Sequence, residues 1–319
     1  MSTGHFYGVT YQKQLLSDRI RTGVLHDAIK ELVKPGDVVV DVGTGSGILS
    51  IFAARAGARK VYAIESTPIA RLARQVVADN GLSHIIEVIE ADARVAQLGE
   101  LADVLISECL GNFVLSDAML NVLVDCKRML KPNAIICPGL VRFMMAPANL
   151  EPLMGALNWW KDPHYEVNWN ACYRSAQNDV YPVQVPPELL SAEPKVSGRV
   201  FITEPPPKDP QHVLWTFDKA TSVDAVVGWF TAELSPSVML DTSPAVQTCW
   251  GQVAFPIPPI DVVPGDQLDF TLAFELGELD LPAYRWTGAY LDDQGVEAFR
   301  FERGQDLRFE PWRAVDEEA

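Results

Sequence analysis

The chain is short of paired cysteines, of long apolar runs and of positive charge, and each shortage removes a class of function. Its five cysteines (109, 126, 137, 172 and 249) are scattered and form no Cys-x-x-Cys pair. That spacing predicts neither a zinc site nor a disulfide framework, and a reducing cytoplasm suits it. No apolar run is long enough to span a bilayer. No charged-then-apolar segment of the signal-peptide kind opens the sequence. A cytoplasmic protein without a membrane partner is therefore expected. Lysine and arginine number 26 against 42 aspartates and glutamates, a formal net charge of −16, and the pI is about 4.7. Such a chain repels a nucleic-acid backbone unless a local basic patch intervenes, and Arg55, Arg59 and Lys60 are too few to make one. An acidic surface draws in cationic peptides. It also serves solubility alone, and composition gives the two readings equal weight.

With 319 residues, 48% of them hydrophobic, there is material for two globular units or one with a large appendage. There is no internal repeat and no low-complexity segment. Residues 1–35 read as a helical lead-in whose amphipathic part is Gln14–Leu32. Residues 36–146 alternate strand and helix at the lengths of βαβ units, which predicts an α/β unit with a parallel sheet. Pro138 and Pro147 mark the exit. Over 147–319 helical periodicity fades and prolines cluster at 182, 186, 187 and 205–207. Short alternating strands appear at Arg199–Thr203, Val226–Leu234, Gln247–Ala254, Leu268–Leu276 and Ala283–Leu291, predicting an antiparallel sheet or barrel. Pro205–Pro207 reads as an exposed turn, and the acidic tail Val315–Ala319 as frayed.

The densest signal is Val38-Val-Val-Asp-Val-Gly-Thr-Gly-Ser-Gly-Ile-Leu49: a buried strand, a tight glycine turn and an apolar helix. Glycine is needed where backbone takes positive φ or approaches a ligand. The spacing is Gly43-x-Gly45-x-Gly47, not the Gly-x-Gly-x-x-Gly of dinucleotide sites, and Asp41 stands at the strand end. A carboxylate there repels a pyrophosphate and suits a cofactor with an amine and a sulfonium, S-adenosyl-L-methionine (AdoMet). Val61–Glu65 and Val88–Asp92 are further strands ending in acids. Glu65 is placed for ribose hydroxyls and Asp92 for an adenine amino group. One such acid can simply cap the next helix; three in succession point to a cofactor.

Over about residues 20–145 the chain resembles the class I AdoMet methyltransferases, which implies a Rossmann-like cofactor domain. The fourth strand, Ala102–Ser107, leads into Ser107-Glu-Cys-Leu-Gly-Asn-Phe-Val-Leu-Ser-Asp-Ala-Met-Leu120. This loop has no proline, unlike the Asn/Asp-Pro-Pro-Tyr elements of many nucleobase and amide methyltransferases. Its two acids, Glu108 and Asp117, resemble the double-glutamate loop of the protein arginine N-methyltransferases. Leu15-Leu-Ser-Asp-Arg-Ile-Arg-Thr22 is similar to that family's pre-sheet helix, Thr248-Cys-Trp-Gly-Gln252 to its Thr-His-Trp-x-Gln loop, and Val263-Pro-Gly-Asp266 to the turn that follows.

The resemblance implies roles for particular residues. Arg21 reaches the methionine carboxylate of the cofactor. Asp41, Gly43, Gly45 and Gly47 form its loop, Glu65 takes the ribose, Asp92 lies in the adenine segment and Glu108 borders it. Glu108 and Asp117 grip a substrate guanidinium, with Cys249 and Trp250 lining the acceptor pocket. Chemically, two carboxylates can bind a guanidinium through bidentate bonds and accept its proton. For Asp117 alone, starting the helix Ala118–Met129 is the simpler role. No metal is implied. The family also implies a β-barrel after the cofactor domain and a homodimer made by an arm. Here the arm falls at about 158–182, where Trp159, Trp160, Tyr165, Trp169 and Tyr173 cluster. Such aromatics also serve to fill a core.

Three departures bear on substrate. Asp117 replaces a glutamate, Cys249 replaces a histidine, and His5–Tyr11 does not reproduce the family's paired tyrosines. The expected acceptor is an arginine-containing protein or peptide. Asp117 and Cys249 leave open a small guanidino or amino metabolite, or a biosynthetic peptide. A non-catalytic AdoMet-binding regulatory partner is the third reading; the intact loop and Glu108 argue against it.

Overall fold

The computed structural model describes residues 8–111, 113, 117–205, 209–276 and 282–305. The side chains of 117–119, 275, 276 and 282 lie outside that description, as do Pro206, Pro207, the Val315–Ala319 tail and residues 5–7 of the His5–Tyr11 segment.

The expected helix Gln14–Leu32 is two helices, α1 (Val9–Ser17) and α2 (Arg19–Leu32). Asp18 breaks it. Its backbone is extended, and its carboxylate accepts from Arg21 N at 2.8 Å as the N-cap of α2. An aspartate that satisfies an orphan helix N–H does more for a helix start than for a helix interior.

The next units are β1 (Val38–Val42), α3 (Ile48–Ala56), β2 (Lys60–Glu65), α4 (Ala70–Asp79), β3 (Ile86–Glu90), β4 (Ala102–Ser107), α5 (Asp117–Asp125) and β5 (Leu130–Cys137). A short 3-10 turn, Cys126–Met129, ends the helical stretch expected to run to Met129. The five strands form a parallel sheet in the order β3-β2-β1-β4-β5. β1 is buried along its whole length, as a central parallel strand covered on both faces must be. Chain order reverses between β1 and β4, and a ligand site is expected outside the carboxyl ends of these two strands.

β6 (Leu140–Ala148) pairs antiparallel with β8 (Lys195–Phe201) and β10 (Thr221–Glu233). The change of sheet therefore falls at Pro138-Gly139, and residues 140–146, assigned from sequence to the cofactor unit, run in the second sheet. Between β6 and β7 (Tyr181–Val183) the chain leaves the sheet as α6 (Glu151–Asn158) and α7 (Asn170–Gln177). The segment at about 158–182, expected from the resemblance to be an arm, falls on this excursion. Trp159 and Tyr165 remain 46% and 88% exposed, too open for residues filling a core.

The remaining strands are β9 (Gln211–Thr216), β11 (Met239–Asp241), β12 (Gln252–Val262), β13 (Gln267–Leu276), β14 (Pro282–Leu291) and β15 (Glu297–Gly304). They complete a six-stranded sheet, β7-β12-β10-β6-β8 with β11 on β10, and a four-stranded one, β15-β14-β13-β9. Edges β8 and β9 meet through side chains: Lys195 Nζ donates to Leu214 O at 2.6 Å, and Ser197 Oγ to Gln211 Oε1 at 2.8 Å. The expected Rossmann-like unit followed by an antiparallel β unit is what the chain forms. Strand β12 starts at Gln252 and not at Gln247, because the Thr248–Gly251 segment is a loop that reaches the site.

β10 is the spine of the second unit and is buried on both faces. Ala225, Val227 and Trp229 pack in a small core with Ala146, Ala148 and Leu150, while Val226 and Phe230 face the main core. This explains its almost continuous apolar run. Its register shifts at Asp224, whose carboxylate accepts from Leu150 N at 2.7 Å where the arm departs. Among the described residues no helix is long and apolar enough to cross a membrane, and no three His, Cys, Asp or Glu side chains gather as a metal site.

Candidate functional site

The glycine turn stands at the carboxyl end of β1. Gly43 N and Thr44 N both donate to Ile64 O, at 2.9 and 3.0 Å, which lays the turn across β2. Gly43, Gly45 and Gly47 have φ of 77°, 55° and 90°. At Gly45 the missing side chain also leaves room: a Cβ would lie 2.9 Å from the Gln12 amide oxygen, which accepts from Ser46 N at 3.0 Å. At Gly43 a Cβ would meet Cys109 Sγ at 2.5 Å.

Asp41 is fully buried. Its Oδ2 accepts from Thr44 Oγ1 at 2.6 Å and Ser50 Oγ at 2.7 Å. Its Oδ1 has no partner. Burial pushes its pKa up to about 6 against the two hydroxyl bonds. Glu65 accepts from Gly45 N at 3.0 Å and Thr67 N at 2.9 Å. Each carboxylate oxygen retains a further acceptor direction, so these bonds fix Glu65 without closing it to a ligand's hydroxyls. Asp92, just past β3, accepts from Arg94 N at 2.9 Å and pairs with the Arg94 guanidinium at 2.5 Å. It sits at the rim.

The second half of the site is assembled from distant segments. Glu108 follows β4 and is deeply buried; burial raises its pKa while Arg21 holds it down. Arg21 Nη2 forms an ion pair with Glu108 Oε2, and its Nε is buried without a partner. The Arg21 guanidinium lies 5.6 Å from the Trp250 ring centroid. The structure thus brings together two residues to which sequence resemblance gives separate partners, the cofactor carboxylate for Arg21 and the substrate for Glu108. Trp250 Nε1 donates to Leu110 O at 3.3 Å, tying the β unit to the Glu108 loop. Cys249 N donates to Asp18 Oδ2 at 2.5 Å, and burial raises its thiol to about 12. Gln252 accepts from Val185 N at 2.9 Å and donates to Thr242 O at 3.0 Å, a structural brace. Asp266 closes its turn by accepting from Val263 N at 2.8 Å. Asp117 starts α5, and its side chain lies outside the described residues.

Sequence pattern does not single out Gln12, Asp18 or Phe113. Asp18 carries a local signal, an N-cap three residues ahead of Arg21. Gln12 and Phe113 carry none, because their partners come from elsewhere in the chain.

The orphan acceptor on Asp41 and the orphan donor on Arg21 are opposite in sense, as the ammonium and carboxylate of an amino-acid group require. Together with the glycine turn at the switch point of a parallel sheet, they define a class I methyltransferase site. A family model described as "Ribosomal protein L11 methyltransferase (PrmA)" matches residues 22–142. Protein arginine N-methyltransferase PRMT10 of Oryza sativa subsp. japonica is 32% identical over 82% of this chain and 80% of its own length. Protein arginine N-methyltransferase 6 of Danio rerio is 31% identical over 76% of this chain and 75% of its own. The crystal structure of Arabidopsis thaliana protein arginine methyltransferase 10 superposes with a TM-score of 0.82 at 27% identity, covering 94% of this chain and 99% of that one. The chain belongs to the protein arginine N-methyltransferase family. A Trypanosoma brucei PRMT1 enzyme-prozyme complex with AdoHcy has a TM-score of 0.86 at 23% identity, covering 94% and 98%, a likeness of fold.

Proposed function

We propose that this chain transfers the methyl group of S-adenosylmethionine to a terminal guanidinium nitrogen of arginine in a protein or peptide, leaving S-adenosylhomocysteine. The observation that carries this reading is the buried Arg21–Glu108 pair, in which the site already holds a guanidinium against the carboxylate at the end of β4. The relatives' names support the same acceptor.

When bound, the cofactor supplies a methyl group on a readily displaced sulfonium. This chain's residues hold it and shape the acceptor. Arg21 and Asp41 answer the two ends of its amino-acid part, Gly43, Gly45 and Gly47 give backbone access, Glu65 takes the ribose, and Asp92 lies on the adenine side. A guanidinium is a poor nucleophile because it stays charged, with a pKa above about 12. Glu108 and Asp117 grip it, draw its positive charge away from the attacking nitrogen and accept the proton that nitrogen releases. Burial raises the Glu108 pKa, which makes it a stronger base than an exposed glutamate. Trp250 walls the pocket, and Cys249 fills the place beside it as a neutral thiol. Orientation of nitrogen to methyl is then the main source of rate.

The domain division we adopt is a helical lead-in, a cofactor unit and a β unit carrying the arm at about 158–182. The arm's exposed aromatics support a homodimer in which it docks on a second copy. A cytoplasmic location agrees with unpaired cysteines. Incubation with labelled AdoMet and arginine-containing peptides, read by intact mass, tests the function. Label on peptide arginine is the expected result. Label only on small guanidines moves the acceptor to a metabolite. Tight AdoMet binding with no turnover on either overturns the enzymatic reading in favour of a regulatory partner.

A further inference from the structure

Glycine in a strand interior weakens a sheet and marks a place where something approaches the backbone closely. Gly228 is such a glycine. It sits in the middle of β10, paired with Met145 of β6 on one side and Val253 of β12 on the other. Its φ is not positive, so backbone conformation does not demand glycine there. What demands it is Phe113. A Cβ at Gly228 would lie 2.6, 2.8 and 2.9 Å from three atoms of the Phe113 ring. With alternation along the strand, Gly228 shares the main-core face with Val226 and Phe230. Around the gap it leaves, Phe113 packs edge-on against Phe143 at 5.8 Å and Phe255 at 5.7 Å between centroids. Phe113 is only 2% exposed.

Phe113 belongs to the loop between Glu108 and Asp117. We propose that Phe113 and Gly228 form a peg and socket that fixes this acidic loop on the β unit, making both positioning residues for the acceptor guanidinium; the inference rests on the proposed roles of Glu108 and Asp117. Glu108 is held from the cofactor side by the end of β4 and by Arg21. Residues 109–111, beyond Glu108, are no longer in that sheet, and Phe113 is the deeply buried residue among those described between Glu108 and Asp117. A sheet is stiff, so the depth of the socket sets how far the loop stands from the pocket. Near-attack geometry is sensitive at this scale, where a 1 Å misplacement can cost on the order of 100-fold in rate.

The experiment is a compensation cycle on the full-length enzyme: Gly228→Ala, Phe113→Leu, and both together. Gly228→Ala is expected to lower peptide kcat/KM about 10- to 100-fold, with AdoMet affinity within a few-fold, since no cofactor-side residue is touched. The double variant, with a smaller peg in a shallower socket, is expected to recover most of that loss. Hydrogen exchange over residues 109–120 gives a readout independent of turnover: faster in Gly228→Ala, slower again in the double variant. Gly228→Ala that shifts thermal stability while the folded enzyme keeps normal peptide kinetics overturns the proposal and leaves only core packing. Failure of the double variant to restore either exchange or kinetics also overturns it. Asp117→Asn and Glu108→Gln, run alongside, test the underlying reading. If both turn over peptide normally, the acidic-loop mechanism is wrong, whatever the exchange data show about the peg.

Discussion

The proposed cofactor half and the proposed acceptor half of this site are built in opposite ways. The cofactor half comes from one stretch: Thr44 and Ser50 bond Asp41 across three and nine residues, and Gly45 bonds Glu65 across twenty. The acceptor half joins Leu110 to Trp250 across 140 residues and Asp18 to Cys249 across 231, and its Glu108 meets the cofactor-side Arg21 across 87. A local cradle can form as soon as its two strands pair. A non-local pocket exists only once both units are folded and docked, after loop-closure entropy has been overcome. Changes in the first half should strike cofactor binding, and changes in the second should strike transfer alone.

The largest expected effect tests the first half. Gly45→Val places a branched side chain at φ +55° and into the Gln12 amide. Backbone strain and steric overlap together should weaken AdoMet binding by at least ~100-fold. Calorimetry checks it, and an unchanged affinity would remove the glycine turn from the cofactor site.

Glu108→Gln is the matching break in the second half. It keeps shape and removes charge. The kcat for peptide should fall at least ~100-fold, in the range of one electrostatic or acid–base group. AdoMet affinity should stay within a few-fold by the same calorimetry. Equal losses in both would mean the two halves are not separable as drawn.

The same contrast decides how much was readable beforehand. Alternation of strand and helix, the glycine turn and acids ending successive strands are local patterns; they single out Asp41, Gly43, Gly45, Gly47 and Glu65, which the fold sets at the ends of β1 and β2. The Arg21–Glu108 pair was not legible, because each residue has a different partner by resemblance and only the fold brings them together. The helix break at Asp18 was hidden because amphipathic periodicity runs through it, while the cap bond that causes it lies in one side chain. Strand β6 was hidden because its proline and small residues, Ala146, Pro147 and Ala148, resemble a linker until β10 covers them. Phe113 reads as one more apolar residue until Gly228 is seen opposite.

Asp41 sharpens the comparison through pH. Its folded pKa, about 6, lies above the ordinary value of 3.8. A raised carboxyl pKa means the folded, ligand-free protein prefers the protonated form. Its stabilising contribution is complete below about 4 and is lost as pH rises through about 6. A cationic ligand has the opposite preference, for the ionised form. AdoMet affinity should therefore rise with pH, by up to about tenfold per unit below pH 6, and level off above it. Asp41→Asn should flatten that profile. Calorimetry from pH 5 to 8 in wild type and variant measures both, and a flat wild-type curve would mean Asp41 does not face the cofactor's charge.

The smallest effect is expected at Cys249, in the acceptor half, where replacement of a histidine would otherwise seem most costly. With its pKa near 12, the thiol is neutral through the physiological range and takes no proton from a guanidinium. What residue 249 contributes is its backbone N–H, which donates to Asp18, and the same Asp18 carboxylate caps α2 at Arg21. That bond does not depend on the side chain at 249. A serine hydroxyl can donate to Asp18 in the same sense as the thiol. Cys249→Ser should leave kcat/KM within about threefold, less than 1 kcal/mol of barrier. Asp18→Ala, which removes both backbone bonds and frees the loop from α2, should cost distinctly more. If Cys249→Ser proved as damaging as Asp18→Ala in steady-state peptide kinetics, the side chain at 249 would have a chemical role, and the acceptor half would contain a proton-handling group besides Glu108 and Asp117.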